Sequence, residues 1–335
     1  MGLQIGDIVA RREIKFEELK GKVIAVDAFN ALYQFLSSVR QPDGTPLMDS
    51  KGRVTSHLSG LFYRNIALLS EGMKLAYVFD GKYHALKSKT HEIRNANRES
   101  MKEKYDEARD EGDIENMGKY SRGFSRLNEE MIHESKQLLE AMGVCIIQAP
   151  GEGEMQAAAL VKNGEAYAVA SQDYDALVVG GRLIQNLTLS RKRKLANGDF
   201  VYISPEIIEP TSVLNALDIN SDQLICLAIL VGTDFNPGGV KGLGPKKALT
   251  LVKQFKQPVA IFQSLEGRVD FDWKEIFEIF KKPNVSSVRI EFPKANFARV
   301  EEILVKEHDF SLERVQKQLE KLREIKKGEG QKRLF

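Results

Sequence analysis

Only two cysteines, Cys145 and Cys226, occur in 335 residues. Two thiols cannot build a thiolate metal centre, and because both lie in apolar segments they read as small buried hydrophobes of a reducing compartment, not as a disulfide. Long apolar runs are also missing: the longest, Leu224 to Val231, is far too short to cross a bilayer. No secretion signal is visible at the start, and Gly6 stands where an N-terminal myristoylation signal requires Ser or Thr. No repeat at a fixed period is present. An excess of one charge is lacking too, since 49 Lys and Arg against 47 Asp and Glu leave a net +2. Such a balance announces no polyanionic partner, which would need a local basic surface. What is there is a chain with 42% hydrophobic residues, expected to be soluble and intracellular, with material for one large domain or two ordinary ones.

Val23 to Val26 reads as a short buried strand ending at Asp27, and Ala28 to Val39 follows with helical apolar spacing. The same strand-then-acid pattern recurs at Leu75 to Phe79, before Asp80, and at Tyr167 to Ala170, before Asp173 and Asp175. Val144 to Gln148 is a further strand, followed by Pro150 and an alanine-rich helix through Lys162. Strands alternating with helices predict an α/β fold with a mainly parallel, twisted central sheet flanked by helices, in which sites collect beyond the carboxyl ends of the strands. Gln41 to Gly52 is a turn-rich loop or small hairpin, and helix resumes near Ser56. Between Lys82 and Arg126 charges of both signs replace apolar residues, which predicts a mobile helical insertion with little core contact. Ser221 reads as the N-cap of a helix ending at Gly232, and a glycine-rich loop then leads to a helix with Pro245 in its first turn. The tail from Ala298 is charged and helical.

Seven acids stand out: Asp27, Asp80, Glu152, Glu154, Asp173, Asp175 and Asp234. Taken singly, each has an ordinary explanation, because an Asp after a strand often caps a helix and acids in a first turn complement its dipole. Gathered by an α/β fold they would repel, and Mg²⁺, which prefers hard oxygen ligands and keeps waters, is the usual remedy. Glu152/Glu154 and Asp173/Asp175 are each two residues apart, so an extended segment would turn both carboxylates of a pair to one side. Each pair is therefore expected in a loop aimed at a shared ion.

The segments IAVDAFNALYQFL, YVFDGK, APGEGEMQAAALV, ASQDYDAL and LVGTDF stand in the order found in flap endonucleases, and the chain resembles that family, the archaeal members most closely, over nearly its whole length. The resemblance implies a 5′-nuclease fold of the PIN-like kind forming one nuclease domain over 1–325. Its parts would be an N-terminal region (1–98), a helical arch (82–126), an internal region (127–260) with a helix-loop-helix DNA clamp (221–256), a C-terminal helical region (261–325) and a tail (326–335). It implies two Mg²⁺ ions, replaceable by Mn²⁺, with Asp27, Asp80, Glu152 and Glu154 serving one and Asp173, Asp175 and Asp234 the other. A pair of ions about 4 Å apart activates water and stabilises the leaving oxygen of an in-line displacement. The implied reaction is phosphodiester hydrolysis, endonucleolytic and 5′-exonucleolytic, that leaves a 5′-phosphate near the junction of single and double strand in replication and repair. A silent DNA-binding scaffold is disfavoured by the complete acid set; a phosphatase or RNase would leave the insertion and the glycine loop unused.

If Lys87 to Arg98 is helical, Lys87, His91, Arg94 and Arg98 form one cationic stripe. By itself this is a solvated face balanced by Glu92 and Glu99. The family pattern, DGKYHALKSKTHEIR here, places Lys87 and Arg94 over the scissile phosphate. The resemblance also assigns Tyr33 to stacking on a base near the cut, and Gly2 to the neighbourhood of the site. Arg40, Thr55 and Arg64 match positions that contact a 3′ flap or the template strand. GTDFNPGGVKGLGPKKALTL resembles the DNA clamp, with Gly232, Gly242 and Gly244 for close backbone approach, Lys241, Lys246 and Lys247 for phosphates, and loop carbonyls for K⁺. Arg191 to Lys194 is a solvated turn by default. The resemblance implies a sliding-clamp (PCNA) partner bound through a C-terminal motif, which Gln331, Leu334 and Phe335 match incompletely; a monomer is expected.

Overall fold

The computed structural model describes residues 3–41, 43–188, 192–194 and 199–331. Four parallel pairings join five strands, β2 (Val23–Asp27), β3 (Lys74–Phe79), β4 (Cys145–Gln148), β5 (Ala168–Ala170) and β6 (Leu183–Gln185). The short strands β1 (Arg12–Glu13), at the edge, and β9 (Glu206–Ile208), next to it, add antiparallel, completing the order β1-β9-β6-β5-β2-β3-β4. A separate ribbon pairs β7 (Lys192–Lys194) with β8 (Phe200–Tyr202), so the basic run read as a turn is in part a strand. The short strands β1, β6 and β9 and the ribbon span two or three residues each, too few for a period to register.

Alternation along the central strands fixes two cores. Ile24, Val26, Leu75, Tyr77 and Phe79 face one side; Ala25, Ala76 and Val78 face the other. Because both faces are covered, these strands read as continuous apolar runs. The first side is covered by α1 (Ala28–Ser38), α2 (Ser56–Ser70), α5 (Glu129–Ala141), α13 (Phe297–Glu301) and α14 (Leu312–Gln331). The second is covered by α6 (Gly153–Lys162), α7 (Asp175–Val178), α8 (Pro210–Leu217), α9 (Ser221–Val231), α10 (Pro245–Phe255), α11 (Pro258–Gln263) and α12 (Trp273–Lys281). The chain moves from β2 to β3 and β4 on one side, then returns to β5 and β6 on the other. Strand order therefore reverses between β2 and β5, and the crevice beyond that point is where such sheets bind ligands.

Three local readings need correction. Asn220, not Ser221, caps α9, because its side chain accepts from Gln223 N while Gln223 reciprocates. The tail helix is broken: a π-helical turn over Glu302–Glu307 is followed by Asp309 at φ 58°, after which α14 starts. Glu154 and Asp175 lie in the first turns of α6 and α7 and not in loops. Glu152 is the N-cap of α6, and Asp173 precedes Tyr174, the N-cap of α7. Each two-residue spacing therefore joins a residue at or just before a helix start to one in its first turn, not two positions of an extended segment.

The charged insertion folds as α3 (Ser88–Asp110) and α4 (Ile114–Tyr120). Only Thr90 and Ala108 of α3 are buried. The turn-rich segment before α2 is pinned by a buried polar network. His308 lies between Asp49 and Glu134, at 3.2 and 3.1 Å, and His57 lies 3.2 Å from Glu134. Burial alone would raise the Glu134 carboxyl; hydrogen bonds from His308 and His57 outweigh it and hold it at about 2. Among the described residues no single helix is long and apolar enough to cross a membrane.

Candidate active site

Asp27 ends β2 at the strand-order reversal, and its carboxylate accepts from Asn30 N at 3.0 Å, capping α1. The ordinary reading of Asp27 as a helix cap is therefore true, and it is not the whole role. Ser171, just after β5, donates to Asp27 Oδ2 at 3.2 Å and lies against Glu154. One hydroxyl proton cannot serve both carboxylates. Asp80 follows β3 and accepts from Gly153 N at 2.6 Å at the start of α6. A Cβ on residue 153 would stand 2.6 Å from that same oxygen, so only glycine lets the helix end approach Asp80 this closely. Asn30 Nδ2 reaches Asp173 at 3.4 Å. Asp175 opens α7, is 7% exposed, and its Oδ1 has no hydrogen-bond partner.

Asp234 lies just beyond α9. Arg94 donates to both of its oxygens at 2.8 and 2.7 Å, and Lys87 Nζ is 3.7 Å away. Lys87 also pairs with Glu152 and lies 5.1 Å over the Phe235 ring. Burial works against its charge, but Glu152 and Asp234 prevail and raise the ammonium's pKa above its ordinary value. The predicted stripe thus faces the acids: Arg98, one turn further, donates to the Tyr33 hydroxyl at 3.1 Å, which places Tyr33 at the mouth of the site and out of the core. His91 departs from the stripe, packing edge-on against Tyr83 at 4.6 Å. Glu92 and Glu99 are exposed on the opposite face.

All seven acids share one electrostatic field. Burial first, then Asp80, raises Asp27 to about 7. Burial and Asp234 raise Asp175 to about 8. Burial, then Asp27, Asp173 and Asp175, raise Glu154. Burial and Glu152 raise Asp80, and burial and Asp234 raise Asp173. This hard-oxygen set, with a buried and unpartnered Asp175 oxygen aimed into it, fits divalent cations. As placed, no group of three or more side chains among the described residues closes a coordination sphere; Glu152 and Asp234 are turned to Lys87 and Arg94. The raised carboxyls carry a sign for stability. Between the ordinary value of 3.8 and about 8 the folded state holds more protons than the unfolded, so stability falls as pH rises through that window. In EDTA the melting temperature should drop by roughly 5 °C or more from pH 5 to pH 8, and added Mg²⁺ should restore it at pH 8. A flat profile in EDTA would refute the shared burial of charge.

Other predicted residues lie outside the acid cluster. Arg40 donates to Leu36 O at 2.8 Å, to Gly44 O at 2.6 Å, and to Ser125 in the insertion. Arg64 donates to Gln34 and Leu187 O. Thr55 is buried at the start of α2. Lys241, Gly242, Gly244, Lys246 and Lys247 are exposed around the N-terminus of α10, and Lys241 O accepts from Arg268 at 3.0 Å. Gly232 has φ 113°, and a Cβ there would lie 2.6 Å from Gly239 N, so the loop can fold back on α9 only through glycine. Gly2, Arg191, Leu334 and Phe335 fall outside the described residues; for Gln331, which ends α14, only the backbone is described. Sequence reasoning missed Asn30, Thr90 and Ser171. Nothing in their spacing marks them, although all three lie inside quoted segments.

Two family models match the chain: the XPG N-terminal domain over residues 3–101 and the XPG I-region over residues 143–234. Among characterised proteins, it is 51% identical over 332 residues to flap endonuclease 1 of Pyrococcus abyssi, covering 98% of this chain and 96% of that protein. It is 50% identical to flap endonuclease 1 of Pyrococcus furiosus, covering 98% and 97%. Among solved structures, flap endonuclease-1 from Methanococcus jannaschii superposes with a TM-score of 0.77 at 40% identity, covering 97% of this chain and 98% of that one. The catalytic core of Rad2 in complex with DNA substrate superposes with a TM-score of 0.69 at 21% identity, covering 96% of this chain and 100% of that one. That likeness is one of fold.

Proposed function

The chain belongs to the flap endonuclease family of XPG-type nucleases, and from that premise we propose that it is a Mg²⁺-dependent enzyme cutting DNA beside the junction of a 5′ flap with its duplex. The observation that carries the proposal is the meeting of the seven acids beyond the β2/β5 reversal, with Lys87 and Arg94 presented to them by the insertion. Asp27, Asp80, Glu152 and Glu154 would hold one ion; Asp173, Asp175 and Asp234 would hold the other. Two such ions, when bound, supply Lewis acidity at the attacking and the leaving oxygen.

The remaining work falls to side chains. Lys87 and Arg94, which pair with Glu152 and Asp234 here, would turn to the scissile phosphate and offset its developing charge. Tyr33, held by Arg98, would stack on the unpaired base next to the cut. The insertion would arch over the flap strand. Lys241, Lys246 and Lys247 would grip duplex phosphates without regard to sequence, and salt should weaken that grip. Loop carbonyls near Gly232 would accept K⁺. The enzyme would act as a monomer in replication and repair, and its C-terminal tail would dock on a sliding clamp.

Incubation with an end-labelled double-flap DNA tests this. In Mg²⁺ or Mn²⁺ one cut near the junction is expected, leaving a 5′-phosphate, with no cut in EDTA. Intact DNA in Mg²⁺, despite binding, would identify a silent scaffold instead.

A further inference from the structure

The base of α3 grips Asp234 with three residues on one helix face. Lys87 and Arg94 hold the carboxylate, whereas Thr90 Oγ1 donates to the backbone carbonyl at 2.6 Å. Thr90 is 3% exposed and is one of only two buried residues in α3, so it is the neutral anchor that ties the base of this helix to the acid cluster. Beside it a cavity of about 550 Å³, lined by Gln4, Asp7, Asn97, Gly238 and Pro245 among others, separates the helix base from the glycine-rich loop. The turn carrying Asp234 is stiff: Thr233 and Asn236 bond to each other, and Asn236 Nδ2 donates to Ile229 O at 2.7 Å. Movement of the loop that follows would therefore pass to Asp234 as a unit.

We propose that Thr90 is a positioning residue that couples the DNA clamp loop to the arch. The inference rests on the function proposed above. Lys87 and Arg94 cannot serve as lasting tethers, because phosphate and cations compete for the charges that bind them to Asp234. A neutral hydroxyl bonded to a backbone carbonyl is in competition with neither. When duplex seats on Lys241, Lys246 and Lys247, the Thr90 bond keeps the base of α3 in register with Asp234. Lys87 and Arg94, one turn to either side, then face the phosphate with no further search.

Thr90→Val removes the hydroxyl and keeps the shape; Thr90→Ser keeps the hydroxyl. Single-turnover cleavage of the double-flap DNA in Mg²⁺ should slow roughly tenfold in the Val variant, the worth of one buried hydrogen bond. Affinity for the same DNA in Ca²⁺ should stay close to that of the unaltered protein, and the melting temperature should fall by only the few degrees that one hydrogen bond is worth, roughly 2–4 °C. Amide exchange over residues 88–98 should quicken without DNA, and Thr90→Ser should recover rate and protection. In a Lys87→Ala background Thr90→Val should add less than it does alone, because of the two cationic side chains that Thr90 positions only Arg94 remains. Equal rates for the Val variant and the unaltered protein would overturn the proposal. So would a Ser variant as slow as Val, or full additivity with Lys87→Ala. Thr90→Ala, compared with Ser in the same way, decides the matter if Val does not fold. Failure of the unaltered protein to cut would refute the proposed function instead.

Discussion

Asp175→Asn is expected to slow single-turnover cleavage of a double-flap DNA by about 10³-fold or more and, in the same protein, to raise the melting temperature measured in EDTA. The first effect follows from losing a carboxylate that would hold a cation at the reacting phosphate. The second follows from burial. Asp175 Oδ1 has no partner, and burial with Asp234 nearby pushes its carboxyl up to about 8. A group kept for function at the expense of the fold becomes neutral in the variant, so roughly 2–4 °C should be gained for each kcal/mol of repulsion relieved. DNA binding should persist, because the loop near Lys241 is untouched. A variant that cuts at an undiminished rate would remove Asp175 from the reaction. A melting temperature that fell would mean that Asp175 stabilises the fold through contacts not yet accounted for.

Lys87→Ala should slow the chemical step by roughly 10² to 10³-fold and weaken DNA binding far less. Lys87 is 8% exposed, paired with Glu152, near Asp234 and over the Phe235 ring. That pocket holds a permanent cation next to the acids while cations and phosphate assemble. Its removal leaves Glu152 with less compensation, so the melting temperature in EDTA should also fall, in the opposite sense to Asp175→Asn. The two variants share a loss of cleavage and differ in the direction of stability, a pattern that general misfolding cannot give. If affinity fell and the single-turnover rate did not, Lys87 would be a substrate grip and not a stabiliser of developing charge.

Four of the five parallel strands are legible because they are continuous apolar runs, each followed by an acid and then a helix; β6, only three residues long and followed by Asn186, is not. The same pattern places Asp27, Asp80, Asp173 and Asp175 just beyond strand ends from the sequence alone. Glu154 shows where such reading stops. Two residues from Glu152, it was expected in a loop; it lies inside α6, whose N-terminus is drawn in by the Gly153 N–H to Asp80 bond. The same blindness hid Thr90 and Ser171, short polar residues whose roles come from partners 144 and 17 residues away. β1, β9 and the ribbon were too short for periodicity to show.

The sequence by itself determined the element types, the family, and the acids as a set, because local chemistry and ordered motifs are written along the chain. Only the tertiary structure decided that Lys87 meets Glu152 and Arg94 meets Asp234, that Asp27 both caps a helix and joins the cluster, and that Thr90 ties α3 to Asp234. The physical reason is that hydrogen bonds and ion pairs act over about 3 Å, whereas the groups they join here lie up to 144 residues apart in the chain, and no spacing rule in one dimension carries that distance.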